Sequence, residues 1–201
     1  MHFDFTTDIQ LEDERVRIEP LGLEHLDDFA QVAKAHPNLL QYFPAVLRNR
    51  DDALNYITEA IWNRSATARY PFALLDKPSN QYVGSTSFYN ISNKDLRLEI
   101  GWTWLSPHVQ RTGFNRRVKL LMLQYAFDQL GFERVALRTD GRNTQSQKAI
   151  LGIGAQFEGR LRSHITMPNG YRRDTMYYSI LKEEWPEIQR RLRTQITPET
   201  P

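Results

Sequence analysis

The sequence predicts a single domain of mixed α/β, or α+β, class. Three observations carry that class. Residues 96–139 run strand, loop, helix, strand, the order of a right-handed βαβ unit with a parallel strand pair. Hairpin patterns stand before that unit and after it, so the sheet is mixed and not purely parallel. The 201 residues are 40% hydrophobic and contain no internal repeat, low-complexity stretch or Gly/Ser-rich linker, so residues 1–201 read as one domain with a core at about 11–185.

The elements come in order. Residues 15–21 (RVRIEPL) alternate as a first strand, and residues 23–35 place Leu26, Phe29, Ala30 and Ala33 on one helical face. His36-Pro37-Asn38 stops that helix. Asp51-Asp52 can cap a second one, with Leu54, Ile57 and Ile61 inward. Residues 71–75 (PFALL) and 82–89 (YVGSTSFY) read as strands, and the polar DKPSNQ between them suits a hairpin. Residues 96–105 (LRLEIGWTWL) are the clearest strand. Leu96, Leu98, Ile100, Trp102 and Trp104 take one face and Arg97, Glu99, Gly101 and Thr103 the other, though a bulge at Gly101 would shift the facing of the residues beyond it.

A broad helical stripe comes next. Val118, Leu121, Met122, Tyr125 and Ala126 form it, Leu120, Leu123, Phe127 and Leu130 widen it, and Gly131 ends it. Residues 134–139 (RVALRT) are apolar enough for an internal strand, and Asn143 caps a short helix at 144–151. Residues 155–162 and 174–181 form a closing pair of strands around Pro168-Asn169-Gly170, which makes about seven strands in all. Residues 183–193 are a last short helix, and TPETP is a frayed tail.

Several function classes fall away at this stage. Twenty-six basic residues nearly cancel twenty-four acidic ones, leaving a net charge of +2, so nothing calls for nucleic acid or membrane as partner. With no cysteine there are no disulfides, thiolate metal sites or Cys nucleophile. His2, His25, His36, His108 and His164 include no pair at i, i+4, so no metal is expected. The acidic N-terminus lacks a signal pattern and no apolar run reaches membrane-spanning length, which makes the cytoplasm the expected location.

The segment HVQRTGFN (108–115) joins the clearest strand to the broad helix. Free N–H groups and the positive helix end favour an anion there, and Gly113 permits a positive φ or a close backbone approach. Arg111, Arg116 and Arg117 add charge. A plain turn with one glycine reads the same way, and neither G-x-G-x-x-G nor G-x-x-x-x-G-K-[ST] is present.

The order of motifs resembles the GCN5-related N-acetyltransferases (GNAT), closest to their ribosomal-protein alanine and serine (RimJ/RimL-type) branch. Gln110-Arg111-Thr112-Gly113-Phe114-Asn115 fills the family's Q/R-x-x-G-x-G/A loop except at Asn115, which stands where a small residue is usual. LEIGWTWLSP (98–107) looks like the branch's strand before that loop. Asn143-x-x-Ser146-Gln147-x-Ala149 resembles its N-x-x-S-x-x-A helix start, with Gly154-Ala155, Glu158-Gly159 and Gly170-Tyr171-Arg172-Arg173-Asp174 after it in order. The resemblance implies a GNAT-like domain, with a strongly twisted mixed sheet and helices on both faces. It also implies transfer of an acetyl group from acetyl-CoA to an amine-bearing acceptor, a protein N-terminus or a small molecule, by direct attack in a ternary complex. A homodimer stays open, as does a non-catalytic acyl-CoA-binding protein of the same fold.

The resemblance assigns Gln110 to Asn115 to the diphosphate and backbone N–H groups near Trp104 and Leu105 to the thioester oxygen. Asn143 would bond the pantetheine arm or cap its helix, and Lys148 either reaches the adenosine phosphates or is an ordinary exposed helix lysine. Glu99 is the candidate base, two residues before Gly101, whose missing side chain leaves space for substrate; a carboxylate paired with Arg97 or a nearby lysine would look the same. Many relatives carry a tyrosine as general acid at the position of Ile150, which cannot donate a proton. Ser146, at the first turn of its helix, is the candidate donor to the thiolate, though a hydroxyl bonding the local backbone would look the same, with Tyr177 and Tyr178 in reserve. Tyr42, Phe43 and His164 stand where relatives form the acceptor groove. Asn115 could cap its helix, and Arg116-Arg117 either strengthens phosphate binding or ties up a carboxylate. Arg160, Arg162, Arg172 and Arg173 suit an acidic substrate or a solvated face.

Overall fold

The computed structural model describes residues 2–196, and the tail expected to fray at 197–201 lies outside them. Thirteen elements succeed one another: β1 (Leu11–Glu12), β2 (Val16–Pro20), α1 (Leu26–Ala35), α2 (Arg50–Ser65), β3 (Arg69–Asp76), β4 (Gln81–Ser92), β5 (Arg97–Leu105), α3 (Phe114–Gln124), β6 (Arg134–Asp140), α4 (Thr144–Gly152), β7 (Gln156–Thr166), β8 (Arg172–Leu181) and α5 (Trp185–Ile196). One eight-stranded sheet takes the order β1-β2-β3-β4-β5-β6-β8-β7. Only β5 and β6 pair in parallel, across α3; every other neighbouring pair is antiparallel. The eighth strand is β1, whose two residues are too short to show alternation.

Two cores lie against the sheet. Val118, Met122 and Leu123 of α3 and Leu192 of α5 pack with Leu98, Ile100, Val135 and Ile180 in one. Phe29 of α1 and Ala53, Tyr56, Ile57 and Ala60 of α2 pack with Trp104 in the other. Phe29 meets Trp104 edge to face, with ring centroids 4.8 Å apart. Truncating such a buried aromatic costs on the order of 3–5 kcal/mol. The α2 stripe is turned from the expected one: Leu54 is exposed and Ala53 and Tyr56 face inward. Its cap is Asn49, whose Oδ1 accepts from the Asp52 amide at 2.9 Å, and the two aspartates sit in the first turn.

The bulge in β5 decides what the clearest strand presents. Ser87 pairs with Gly101 and Ser85 with Trp104, so two steps on β4 face three on β5. Trp102 takes the extra place with φ 52. Leu98 and Ile100 therefore face α3, whereas Trp104 faces α1 and α2; the single apolar face expected for 96–105 is broken at Gly101. The same strand also parts from its parallel neighbour. β5 pairs with β6 only from Arg97↔Arg134 to Ile100↔Leu137. Beyond that, β5 stays with β4 to Leu105 and β6 stays with β8 to Asp140, so a gap opens at their carboxyl ends. Open α/β sheets bind ligands at such ends.

Candidate active site

The loop at the head of this gap is built to leave amides free. Arg111 (φ 62) and Gly113 (φ 84) both take the left-handed conformation, and Gly113 is the N-cap of α3 without a side-chain cap. Nothing lies within 4 Å of a Cβ added at Gly113, so conformation and not crowding calls for glycine. The N–H groups of Arg111, Thr112, Gly113, Phe114 and Asn115 make no hydrogen bond of normal geometry to a described residue. Side chains hold the loop instead. Gln110 Nε2 donates to the Leu105 carbonyl at 2.8 Å, and Gln145 Nε2 of α4 donates to Gln110 Oε1 at 3.1 Å. Thr112 Oγ1 donates to the Val109 carbonyl at 2.8 Å, while Arg15 holds the Thr112 carbonyl at 3.1 Å. Phe114 is fully buried and pins the helix start. These residues fit a diphosphate: several unpaired N–H groups at a helix N-terminus, with no side chain in the way.

The structure decides between the alternatives left open for the loop. Asn115 does not cap α3, because Gly113 already holds that position; its Oδ1 is instead buried without a partner. Arg117 ties up carboxylates, with Asp13 Oδ2 at 2.9 Å and Glu14 also in contact, while Arg111 and Arg116 stay exposed.

On α4, Asn143 Oδ1 accepts from the Ser146 amide at 3.0 Å and so caps the helix. Ser146 is half-buried in the first turn, and Lys148 is exposed. Ile150 is buried in the core shared with α3. Tyr178 donates to Gln147 Oε1 at 3.3 Å, and burial pushes its phenol pKa up. The Trp104 and Leu105 side chains are buried on opposite faces of the sheet, so only their backbone can serve a ligand in the gap.

The face of the sheet toward α1 and α2 gathers the polar side chains. Glu99 is 8% exposed. Its Oε1 accepts from Asn90 Nδ2 at 2.8 Å, while Oε2 lies 3.4 Å from Arg138 Nε and has no hydrogen bond. The partner is thus Arg138, not Arg97, which pairs with Asp95. The space expected above Gly101 is filled by Tyr89: a Cβ there would lie 2.6 Å from its ring. Burial, then the Glu99 charge, pushes the Tyr89 phenol well above its usual range. Arg138 donates to Tyr177 Oη at 2.9 Å and stacks over the Tyr89 ring at 5.0 Å. His164, exposed on β7, contacts Thr175 Oγ1 at 3.1 Å and lies 6.3 Å from the Tyr177 ring. Partial burial and then Arg138, Arg173 and Arg172 hold its imidazole below the usual value. The Tyr42 carbonyl accepts from Arg173 at 3.4 Å. Tyr42 and His164 therefore reach the Glu99 face, whereas Phe43 packs against the core of α1 and α2.

Sequence reasoning passed over Tyr89, Asn90, Arg138 and Lys119. Lys119 carried a signal, since it precedes Met122 by three and Ala126 by seven on the buried stripe. Its Nζ donates to Thr103 Oγ1 at 2.9 Å, and Thr103 Oγ1 meets Thr86 Oγ1 at 2.8 Å. Burial pulls its pKa down to about 7. Among the described residues there is no group of three metal-ligating side chains, and no helix is long and apolar enough to cross a membrane.

Comparison with known proteins agrees with this architecture. Residues 15–156 match the acetyltransferase (GNAT) domain family. The uncharacterized N-acetyltransferase YnaD of Bacillus subtilis is 27% identical over 149 residues, 74% of this chain and 83% of its own. A GCN5-related N-acetyltransferase from Brucella melitensis superposes with a TM-score of 0.89 at 25% identity, over 98% of this chain and 89% of its own. Mycobacterium smegmatis RimJ, solved in complex with CoA-disulfide, has a TM-score of 0.78 at 17% identity over 94% of this chain and 93% of its own, a likeness of fold.

Proposed function

The chain belongs to the GNAT acetyltransferase family and is an acetyltransferase, and from that premise we propose that it moves an acetyl group from acetyl-CoA to a primary amine by direct attack in a ternary complex. The acceptor is a protein N-terminus or a small-molecule amine. One observation carries the reading: β5 and β6 part beside a loop of unpaired amides, with the buried carboxylate of Glu99 on the strand that lines the gap.

The donor brings its acetyl group already activated as a thioester. Residues 111–115 hold the diphosphate through backbone N–H groups, and Gln110 keeps that loop tied to the end of β5. Lys148 is exposed on α4, within the segment expected to meet the adenosine phosphates. Asn143 holds the start of α4 and so places Ser146, whose hydroxyl donates toward the leaving sulfur. A backbone N–H near Trp104 or Leu105, past the bulge, stabilises charge on the carbonyl oxygen. Glu99 takes the proton from the attacking amine, directly or through a water; its Oε2 is the oxygen with no hydrogen bond to give up. Arg138 fixes the Glu99 carboxylate at 3.4 Å.

Thiol release from acetyl-CoA tests this, read against a panel of amino acids, polyamines and peptides with mass analysis of the acceptor. The expected result is acceptor-dependent release and a mass gain of one acetyl group. Tight CoA binding without turnover on any acceptor would point instead to an acyl-CoA-binding protein.

A further inference from the structure

Arg173 is a buried cation with no anion to face among the described residues. It is 6% exposed, on β8, and its Nε is sealed without a hydrogen bond. Its hydrogen bond from Nη1 to the Tyr42 carbonyl is long, at 3.4 Å. No described carboxylate lies within ion-pair distance of it. Asp140, whose charge acts on it, is already taken: Arg142 engages both its oxygens, at 2.8 and 3.1 Å, and donates its own amide at 2.8 Å. The neighbouring arginines are provided for. Arg138 has Glu99 and Tyr177, Arg160 has Asp174, and Arg172 has Ser163 and Thr166. Arg69, also buried and without a carboxylate, lies 4.2 Å over the Trp102 ring, which offers it a π face. Among the described residues no such ring lies over Arg173.

Buried polar groups are nearly always satisfied, and an unpaired buried charge is costly to keep. Arginine cannot escape by shedding its proton at any ordinary pH. Burial, and after it the repulsion from Arg138, does pull Arg173 below its usual value, against the attraction of Asp140. What the position lacks is an anion from outside the chain.

Its place says which molecule would bring one. Arg173 shares the face of Glu99, Arg138, Tyr177 and His164, beside the loop that carries Tyr42. Resting on the proposed acetyl transfer, we infer that the acceptor amine carries a carboxylate a few bonds from its nitrogen, and that Arg173 receives it while Glu99 receives the proton. A guanidinium meets a carboxylate through two parallel hydrogen bonds, and the Arg173 guanidinium, held by one long bond to the Tyr42 carbonyl, keeps donors for such a fork. Either a free amino acid or an Asp/Glu residue at a peptide N-terminus would offer that chemistry.

Matched pairs test the inference by binding alone. Glycine, β-alanine, aspartate and glutamate, and peptides beginning with Asp or Glu, are titrated calorimetrically into the CoA-loaded protein beside their carboxamides. At least one acid is expected to bind tenfold or more tightly than its amide. Arg173→Met should erase that preference while the amide's affinity stays within threefold. The arm that shows it, free acid or peptide, identifies the source. Equal or better binding of every amide overturns the inference, and since the wild-type pairs alone decide this, a misfolded variant does not leave it open. Thiol release on the same pairs reads separately: acid-selective binding without release would fault the transfer reading and leave the carboxylate site standing.

Discussion

Buried or half-buried cations flank β5 on both sides of its sheet, and they meet that burial in opposite ways. Toward α3, Lys119 has a single hydroxyl partner and a pKa drawn down to about 7, so near neutral pH it can lose its charge. Toward α1 and α2, Arg138 and Arg173 cannot do so. One is matched by Glu99, and the other keeps an Nε with no partner among the described residues. A lysine suits an interior that no ligand enters, because it can become a neutral donor. An arginine suits a place where an anion is present or arrives. On the proposed reading, that difference makes one face of β5 structural and the other the working face.

The largest expected effect comes from removing the working face's own anion. Glu99→Gln should lower kcat by roughly 10²- to 10⁴-fold, as for loss of a general base. A steady-state assay with a matched circular dichroism spectrum checks it, and a loss below fivefold would remove Glu99 from the base's role.

Next is the opposite face. Lys119→Met should stabilise the protein by a few kcal/mol near pH 7, with a pH signature. Below about pH 7 the lysine is charged in both folded and unfolded states, and the wild type bears the full cost of burying that charge. Between about 7 and 10.5 the folded form is neutral while the unfolded form is still protonated, so the cost falls by about 1.4 kcal/mol per pH unit. The variant's advantage should therefore shrink as pH rises. Urea unfolding of both proteins from pH 6.5 to 9.5 reads this directly, and a constant difference would contradict it.

Smaller effects sharpen the boundary between the faces. Gly101→Ala puts a methyl group 2.6 Å from the Tyr89 ring and should cost about 1–3 kcal/mol of stability, with a fall in kcat as Tyr89 moves against Glu99. Asn143→Ala removes the cap of α4. It should cost only about 1 kcal/mol in urea denaturation, along with weaker binding of CoA.

Much of this architecture is legible from the residues alone. The βαβ unit, the Asn143 cap and the loop before α3 announce themselves through local rules, namely period, cap chemistry and a glycine at a helix start. Gly101 marks where a bulge could fall, but its form exists only in the register between β4 and β5, where Trp102 and Thr103 oppose Thr86 alone. The pairing of Glu99 with Arg138 has the same cause, since it joins strands separated by a helix. Arg172 and Arg173 look alike in sequence, yet strand alternation exposes one and buries the other.

One experiment bears most directly on the claim that residues 111–115 hold the donor's diphosphate through their amides. Backbone amide resonances are tracked by ¹⁵N–¹H correlation spectra while CoA is titrated to saturation. Large, saturable shifts are expected for Arg111, Thr112, Gly113, Phe114 and Asn115, whose N–H groups are unpaired in the free chain. If those five signals stay in place while CoA binds and shifts signals elsewhere, the cradle is not where the geometry puts it.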